Sequence, residues 1–228
     1  ALSITNGVAT LGSATPTSIS RIGDHQYVLG FSLSGTPNGS EQLAVVPIAN
    51  SIFDINGTAS STSQSNNTVN LFEKVLPTIS STALAADNST ITATFSEAVF
   101  KSRSASGTGF AGNGDLEVSD FVLSMSGGVA TLGSATPTSI SKSSNAYTLG
   151  INYIGLPNGS EVITVIPAQD AIYDNTGNIA STTQSNNTKT FNSEKIRIAK
   201  SLEFETGYAQ FRSLLKRDAD TYIAAFMY

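Results

Sequence analysis

The stretch GVATLGSATPTSIS at residues 7–20 returns letter for letter at residues 128–141. The offset is 121, and it falls to 120 after one extra residue between Gly23 and Gln26. Later blocks keep that register: Pro37, Asn38, Gly39, Ser40 and Glu41 return as Pro157, Asn158, Gly159, Ser160 and Glu161, and QSNNT at 64–68 returns at 184–188. Working outward gives a unit of about 120 residues, the size of a β-sandwich and far longer than a solenoid repeat. Only the second copy is complete, because residues 78–121 have no counterpart upstream and Ala1 aligns with Val122. The expected division is 1–75 as a partial repeat, 76–193 as a complete one, and 194–228 as the start of a different module. This phase predicts a piece of a longer protein whose first copy leaves a sheet edge unpaired, making it less stable than the second and prone to self-association.

Within the complete copy, residues 91–96 (ITATFS) alternate apolar and hydroxyl side chains with the period of a half-buried strand. Residues 121–125, 129–134, 147–154 and 162–166 are similarly short and rich in β-branched or aromatic residues, and turn signals separate them. No helical period precedes residue 194. Asn158-Gly159 after Pro157 predicts a type I′ hairpin turn, and Asn38-Gly39 repeats it. The Ser/Gly-rich residues 102–114 predict a long loop at one end of the unit. In the tail, residues 193–197 and 221–226 read as strands and 209–216 as a short helix. The expected class is therefore all-β: tandem immunoglobulin-like Greek-key sandwiches, the first incomplete, without the Cys pair or core Trp of the antibody type.

Composition excludes several chemistries. The 228 residues hold no Cys, no Trp and one His, which rules out disulfides, thiolate metal sites, a cysteine nucleophile and a multi-histidine centre. A net charge of −5 argues against a nucleic-acid surface, and no apolar run is long enough for a membrane span. The lone His25 lies where the second copy has Ala146, so it reads as an exposed turn residue and not a catalytic base. The tail differs from the repeats in charge: residues 1–193 carry 6 basic and 12 acidic side chains, residues 194–228 carry 6 and 5. Six Asn-x-Ser/Thr sites, at Asn38, Asn56, Asn66, Asn88, Asn158 and Asn186, are read as turn formers before glycan acceptors.

Three short motifs follow in order: Thr94-Phe95-Ser96-Glu97-Ala98-Val99, then Ser119-Asp120-Phe121, then Ile172-Tyr173-Asp174-Asn175-Thr176-Gly177-Asn178. The succession resembles the bacterial immunoglobulin-like repeat domains of large extracellular surface and adhesin proteins. It covers residues 77–193 fully and 1–76 in part. The first copy departs from it, since Asp54-Ile55-Asn56-Gly57-Thr58 lacks the terminal Asn. The resemblance implies an extracellular or cell-surface location and a non-catalytic spacer or adhesive stalk, with neighbouring repeats of the same polypeptide as partners.

Tandem domains of this kind often stiffen their junctions with calcium, a cation held by carboxylate and amide oxygens. Asp170, Asp174 and Asn178 are the candidate ligands, with Glu97, Asp115, Glu117 and Asp120 elsewhere; the alternative is that Asp174 and Asn178 close an Asx turn. A second candidate is a ligand loop with Phe100, Phe110 and Asp115, contacting a surface glycan or a protein. The cluster Asp115, Glu117, Asp120 is the only acidic group dense enough to suggest glycoside hydrolysis, and a solvated loop is the better reading of it. An accessory role beside an extracellular hydrolase is the remaining alternative.

Overall fold

A computed structural model describes residues 1–106, 109–193, 198–199, 213–216 and 222–225. These residues form only strands, turns and one short 3-10 turn at Val118–Asp120, with no α-helix. The first copy contributes β1 (Leu2–Thr5), β2 (Thr10–Leu11), β3 (Ser18–Gly23), β4 (Gln26–Gly30), β5 (Leu33–Ser34), β6 (Gln42–Val45) and β7 (Thr68–Asn70). The second begins with β8 (Ile79–Leu84), β9 (Thr90–Phe95), β10 (Ser102–Ser106) and β11 (Gly109–Asn113). It continues through β12 (Phe121–Ser126), β13 (Thr131–Leu132), β14 (Ile140–Ser143), β15 (Ala146–Gly150), β16 (Tyr153–Ile154), β17 (Val162–Pro167) and β18 (Thr188–Thr190).

In the complete copy one antiparallel sheet has the order β14-β15-β9-β8 and a second the order β12-β17-β18. The period-two pattern is the cause of the core between them. Ile91, Ala93 and Phe95 of β9 point inward with Tyr147 and Leu149 of β15, and meet Phe121, Leu123, Ile163 and Val165 of the facing sheet. The Phe95 ring stands edge-on to Tyr147, 5.9 Å between centroids, and Phe121 lies 6.1 Å from the same tyrosine. Threonines on the outer face bond across the strands, as Thr92 does to Thr148 at 2.8 Å. The apolar cluster draws its members from residues 79–191.

The exact sequence recurrence has a physical cause that lies in Glu161 and Glu41. Each is fully buried. Glu161 accepts backbone N–H bonds from Val129 (2.8 Å), Ala130 (3.0 Å), Asn158 (3.1 Å) and Gly159 (3.0 Å), so one carboxylate ties the turn before β17 to the chain after β12. Glu41 does the same with Val8, Ala9, Asn38 and Gly39. Burial raises the Glu161 pKa, but the Ala130, Val129 and Asn158 amides outweigh it and bring the group from 4.5 to about 2. At Glu41 the Ala9 amide is the largest influence, opposed by burial, again leaving about 2. Gly128, at φ +62°, is required beside it, because a Cβ there would lie 2.1 Å from the Glu161 carboxylate carbon. The expected type I′ turn is not formed: Gly159 has positive φ (+88°) but Asn158 does not, because its N–H must face the Glu161 carboxylate.

Other expectations are corrected locally. Residues 102–114 are not a loop throughout, since β10 and β11 pair from Ser102↔Asn113 to Ser106↔Gly109. Glycine at 112 makes this strand possible, because a Cβ there would strike the Phe100 ring at 2.2 Å. The runs 129–134 and 147–154 shrink to β13 and to β15 plus β16, with β13 and β16 pairing as a separate two-stranded ribbon. In the tail, β19 (Ile198–Ala199), β20 (Ser213–Lys216) and β21 (Tyr222–Ala225) form an antiparallel sheet. The expected strand at 221–226 is thus present at Tyr222–Ala225, whereas residues 213–216 are strand and not helix. Residues 194–197 and 209–212 lie outside the described residues. Alternating Leu214 and Lys216 fits a strand at least as well as a single helical turn.

Candidate functional site

Where the first copy runs into the second, three segments meet: the connection 71–78, the loop 172–180, and the β10–β11 hairpin. The loop is folded by Asp174. Its buried carboxylate Oδ1 accepts from the backbone N–H of Thr176 (2.8 Å) and Asn178 (2.8 Å), and Oδ2 from the Asn178 side-chain amide (2.8 Å). This is the Asx-turn arrangement, and Gly177 at φ +85° completes it. Asp54 makes the corresponding bonds to the N–H groups of Asn56 and Thr58 in the first copy, so the loop closes without help from a neighbour.

The connection then clasps this loop. Glu73 Oε2 accepts from Thr176 Oγ1 and from Asn178 Nδ2, each at 2.5 Å, and Asn178 Nδ2 also reaches the Val75 carbonyl at 3.3 Å. Pro77 is buried at the end of the connection, and Ile79 N–H donates to Gln184 Oε1 at 2.7 Å. The hairpin packs on the same loop. Arg103 lies 4.5 Å from the Phe110 ring centroid and 5.3 Å from that of Tyr173, and donates to the Gly177 carbonyl at 2.8 Å. A Cβ on Gly109 would stand 3.7 Å from Phe72, so the hairpin also lies against the connection.

Glu97, half-buried at the end of β9, faces this junction. Desolvation first, then the charges of Asp174 and Glu73, push its pKa from 4.5 up to about 7. Three carboxylates thus share one region, one of them holding its proton near neutrality.

No family model, no curated protein and no solved structure matches this chain. The assignment of a role therefore rests on the site itself.

The expected calcium ligands are only partly brought together. Asp174 and Asn178 are in contact, but Asp170 is exposed, with its carboxylate accepting from the Gln169 amide at 3.0 Å. Among the described residues no group of three His, Asp or Glu side chains is arranged to hold a metal ion. Both Asp174 oxygens are already occupied by N–H donors, so the residues Asp170, Asp174 and Asn178 as arranged do not fit a cation that needs six to eight oxygens. Calcium bound only by the folded state at a hundredfold over its Kd would add about 2.7 kcal/mol. Melts in millimolar calcium and in chelator are expected to coincide, and a midpoint shift of several degrees would reinstate the cation.

Phe100, Phe110 and Asp115 do not converge. Phe100 is bridged to Tyr173 through paired backbone bonds of 2.7 and 2.9 Å, Phe110 is 48% exposed beneath Arg103, and Asp115 pairs with Lys142 at 2.8 Å. The acidic cluster is equally committed: Glu117 pairs with Lys101 at 2.6 Å, and Asp120 Oδ2 accepts the Glu117 N–H at 2.7 Å. His25 is exposed in the turn between β3 and β4. Of the six Asn-x-Ser/Thr sites, Asn88 is buried, with its amide donating to the Asn192 carbonyl at 2.8 Å, which leaves no room for a glycan. Glu73 is the residue that sequence reasoning missed. Its signal was its place four residues before Pro77 in a connection with only one other charge, Lys74.

Proposed function

We propose that the chain is a non-catalytic spacer segment of an extracellular or cell-surface protein, in which immunoglobulin-like sandwiches are joined end to end by a clasped junction. The observation that carries this reading is Glu73, a residue of the connection whose carboxylate is held by Thr176 and Asn178 of the following repeat. A free linker would let the two copies swing independently. A carboxylate fixed by two donors, a buried proline and a hairpin packed alongside restrict that motion. The strand orders β14-β15-β9-β8 and β12-β17-β18 support the immunoglobulin-like assignment, because they correspond to the four- and three-stranded sheets of a constant-type sandwich. The pairing of each acidic side chain near the hairpin with a structural partner supports a non-catalytic role.

Stiffness is the testable property. The chain has no Cys, so single cysteines placed on β4 and β17 can carry spin labels without competing thiols. A narrow distance distribution is expected for the native chain, broadening clearly in Glu73→Ala and in Asn178→Ala. A distribution already broad in the native chain, unchanged by either substitution, would remove the spacer reading.

A further inference from the structure

The two copies differ most in what covers equivalent residues. Tyr27, Val45 and Ile52 correspond to Tyr147, Val165 and Ile172 at the offset of 120. In the complete copy these are 1%, 0% and 0% exposed; in the first copy they are 56%, 37% and 56% exposed. The missing cover is identifiable, because the complete copy shows it in place. There β9 pairs with the outer edge of β15, from Ala146↔Thr94 to Gly150↔Thr90, and β8 pairs with β9. In the first copy the hairpin β3–β4 forms a sheet of two strands, with the corresponding edge of β4 unpaired among the described residues.

We propose that this open edge and half-core form a docking groove for a β-hairpin segment of a separate polypeptide that carries the alternation of residues 77–99. The pairing register follows from the repeat: the Ala93 position opposite Tyr27, Ile91 opposite Leu29, and Thr90 opposite Gly30. Main-chain bonds along β4 supply affinity, and the inward residues corresponding to Ile79, Ile91 and Phe95 supply specificity through the exposed apolar face. The Phe95 position would meet Tyr27 as Phe95 meets Tyr147. The chain's own hairpin is not the occupant. Ile91 and Ala93 are fully buried in the second copy, and moving them would open one repeat to close the other with no net burial. A second open copy fits less well, since it brings its β1-β6-β7 sheet to a space that the complete copy fills with two strands. This inference stands independently of the spacer reading.

The test adds a labelled peptide of residues 77–101 to the full 228-residue chain and follows anisotropy together with hydrogen exchange of Gln26–Gly30. Saturable one-to-one binding with slowed exchange along β4 is expected, weakened at least tenfold by Tyr27→Asp in the chain and by Phe95→Asp in the peptide. Tyr27 is exposed in the free chain, so its replacement leaves the unliganded fold intact. As a second arm, residues 77–121 are fused ahead of Ala1, which places the hairpin in cis and is expected to protect the same amides. Protection in the fused chain without binding in trans would restrict the groove to intrachain use and overturn the docking proposal. Binding insensitive to Tyr27→Asp, or a chain that dimerises and is not dissociated by the peptide, would overturn it equally.

Discussion

Glu161→Ala is expected to lower the melting midpoint of the complete repeat by roughly 10 °C or more, the largest single-residue effect in the chain. The carboxylate is the common acceptor for the N–H groups of Val129, Ala130, Asn158 and Gly159. Alanine would leave those donors facing a cavity, and a buried unsatisfied donor costs more than its hydrogen bond was worth. Glu161→Gln separates charge from shape. One amide oxygen can still serve Val129 and Ala130, but the NH2 group would point at the donors of Asn158 and Gly159, so substantial loss is expected here too. Glu41→Ala makes the same local change in a copy whose equivalent core residues are already exposed, and should alter the main transition far less. Hydrogen exchange of β12 and β17 provides the local readout. Unchanged protection there in Glu161→Ala would show that the carboxylate is not the anchor.

The same residue gives the acid limit of stability. Its folded pKa of about 2 lies below the ordinary 4.5, so its contribution is fully present above pH 4.5 and is lost as pH falls toward 2. Glu41 has the same sign and window.

How far the fold could be read from the residues depended on which interactions leave a periodic trace. The strands β9, β12 and β17 were legible because ITATFS, FVLSMS and VITVIP show their inward and outward faces letter by letter. The hairpin β10–β11 was not, because its glycines signal freedom in sequence while in the structure Gly112 makes room for Phe100. The turn at Asn158-Gly159 was located correctly but assigned the wrong type. A hairpin turn is set by its own two residues, whereas this one is set by a carboxylate that follows it and by a segment some 30 residues earlier. The identity of GVA and PNGSE in both copies did contain that information, since Glu161 and its four donors all lie in those blocks. At the junction, Asp174 and Asn178 were legible as a loop-closing pair. Asp170 was grouped with them by sequence distance alone, and it faces solvent. Glu73 was hidden because its partners, Thr176 and Asn178, lie more than a hundred residues away and nothing local demands them.

The junction should set the alkaline limit of stability. Glu97 titrates near 7 in the folded chain against 4.5 when unfolded, because burial and the nearby Asp174 and Glu73 charges disfavour its ionised form. Between those values the folded chain holds a proton that the unfolded chain has released, so stability falls as pH rises through 4.5 to 7. With Glu161 and Glu41 acting oppositely at lower pH, the melting midpoint is expected to peak at about pH 5. It should then decline by several degrees up to pH 8. Glu97→Gln keeps the shape, cannot ionise, and can donate to Asp174 or Glu73. Its midpoint should be flat from pH 5 to 8 and exceed that of the native chain at pH 8. The consequence extends to the clasp, because an ionised Glu97 repels the Glu73 carboxylate that Thr176 and Asn178 hold. Spin-label distances across the junction should therefore broaden in the native chain between pH 5 and 8 and stay narrow in Glu97→Gln. Superimposable pH profiles for the two proteins would place the titrating group elsewhere and detach the clasp from it.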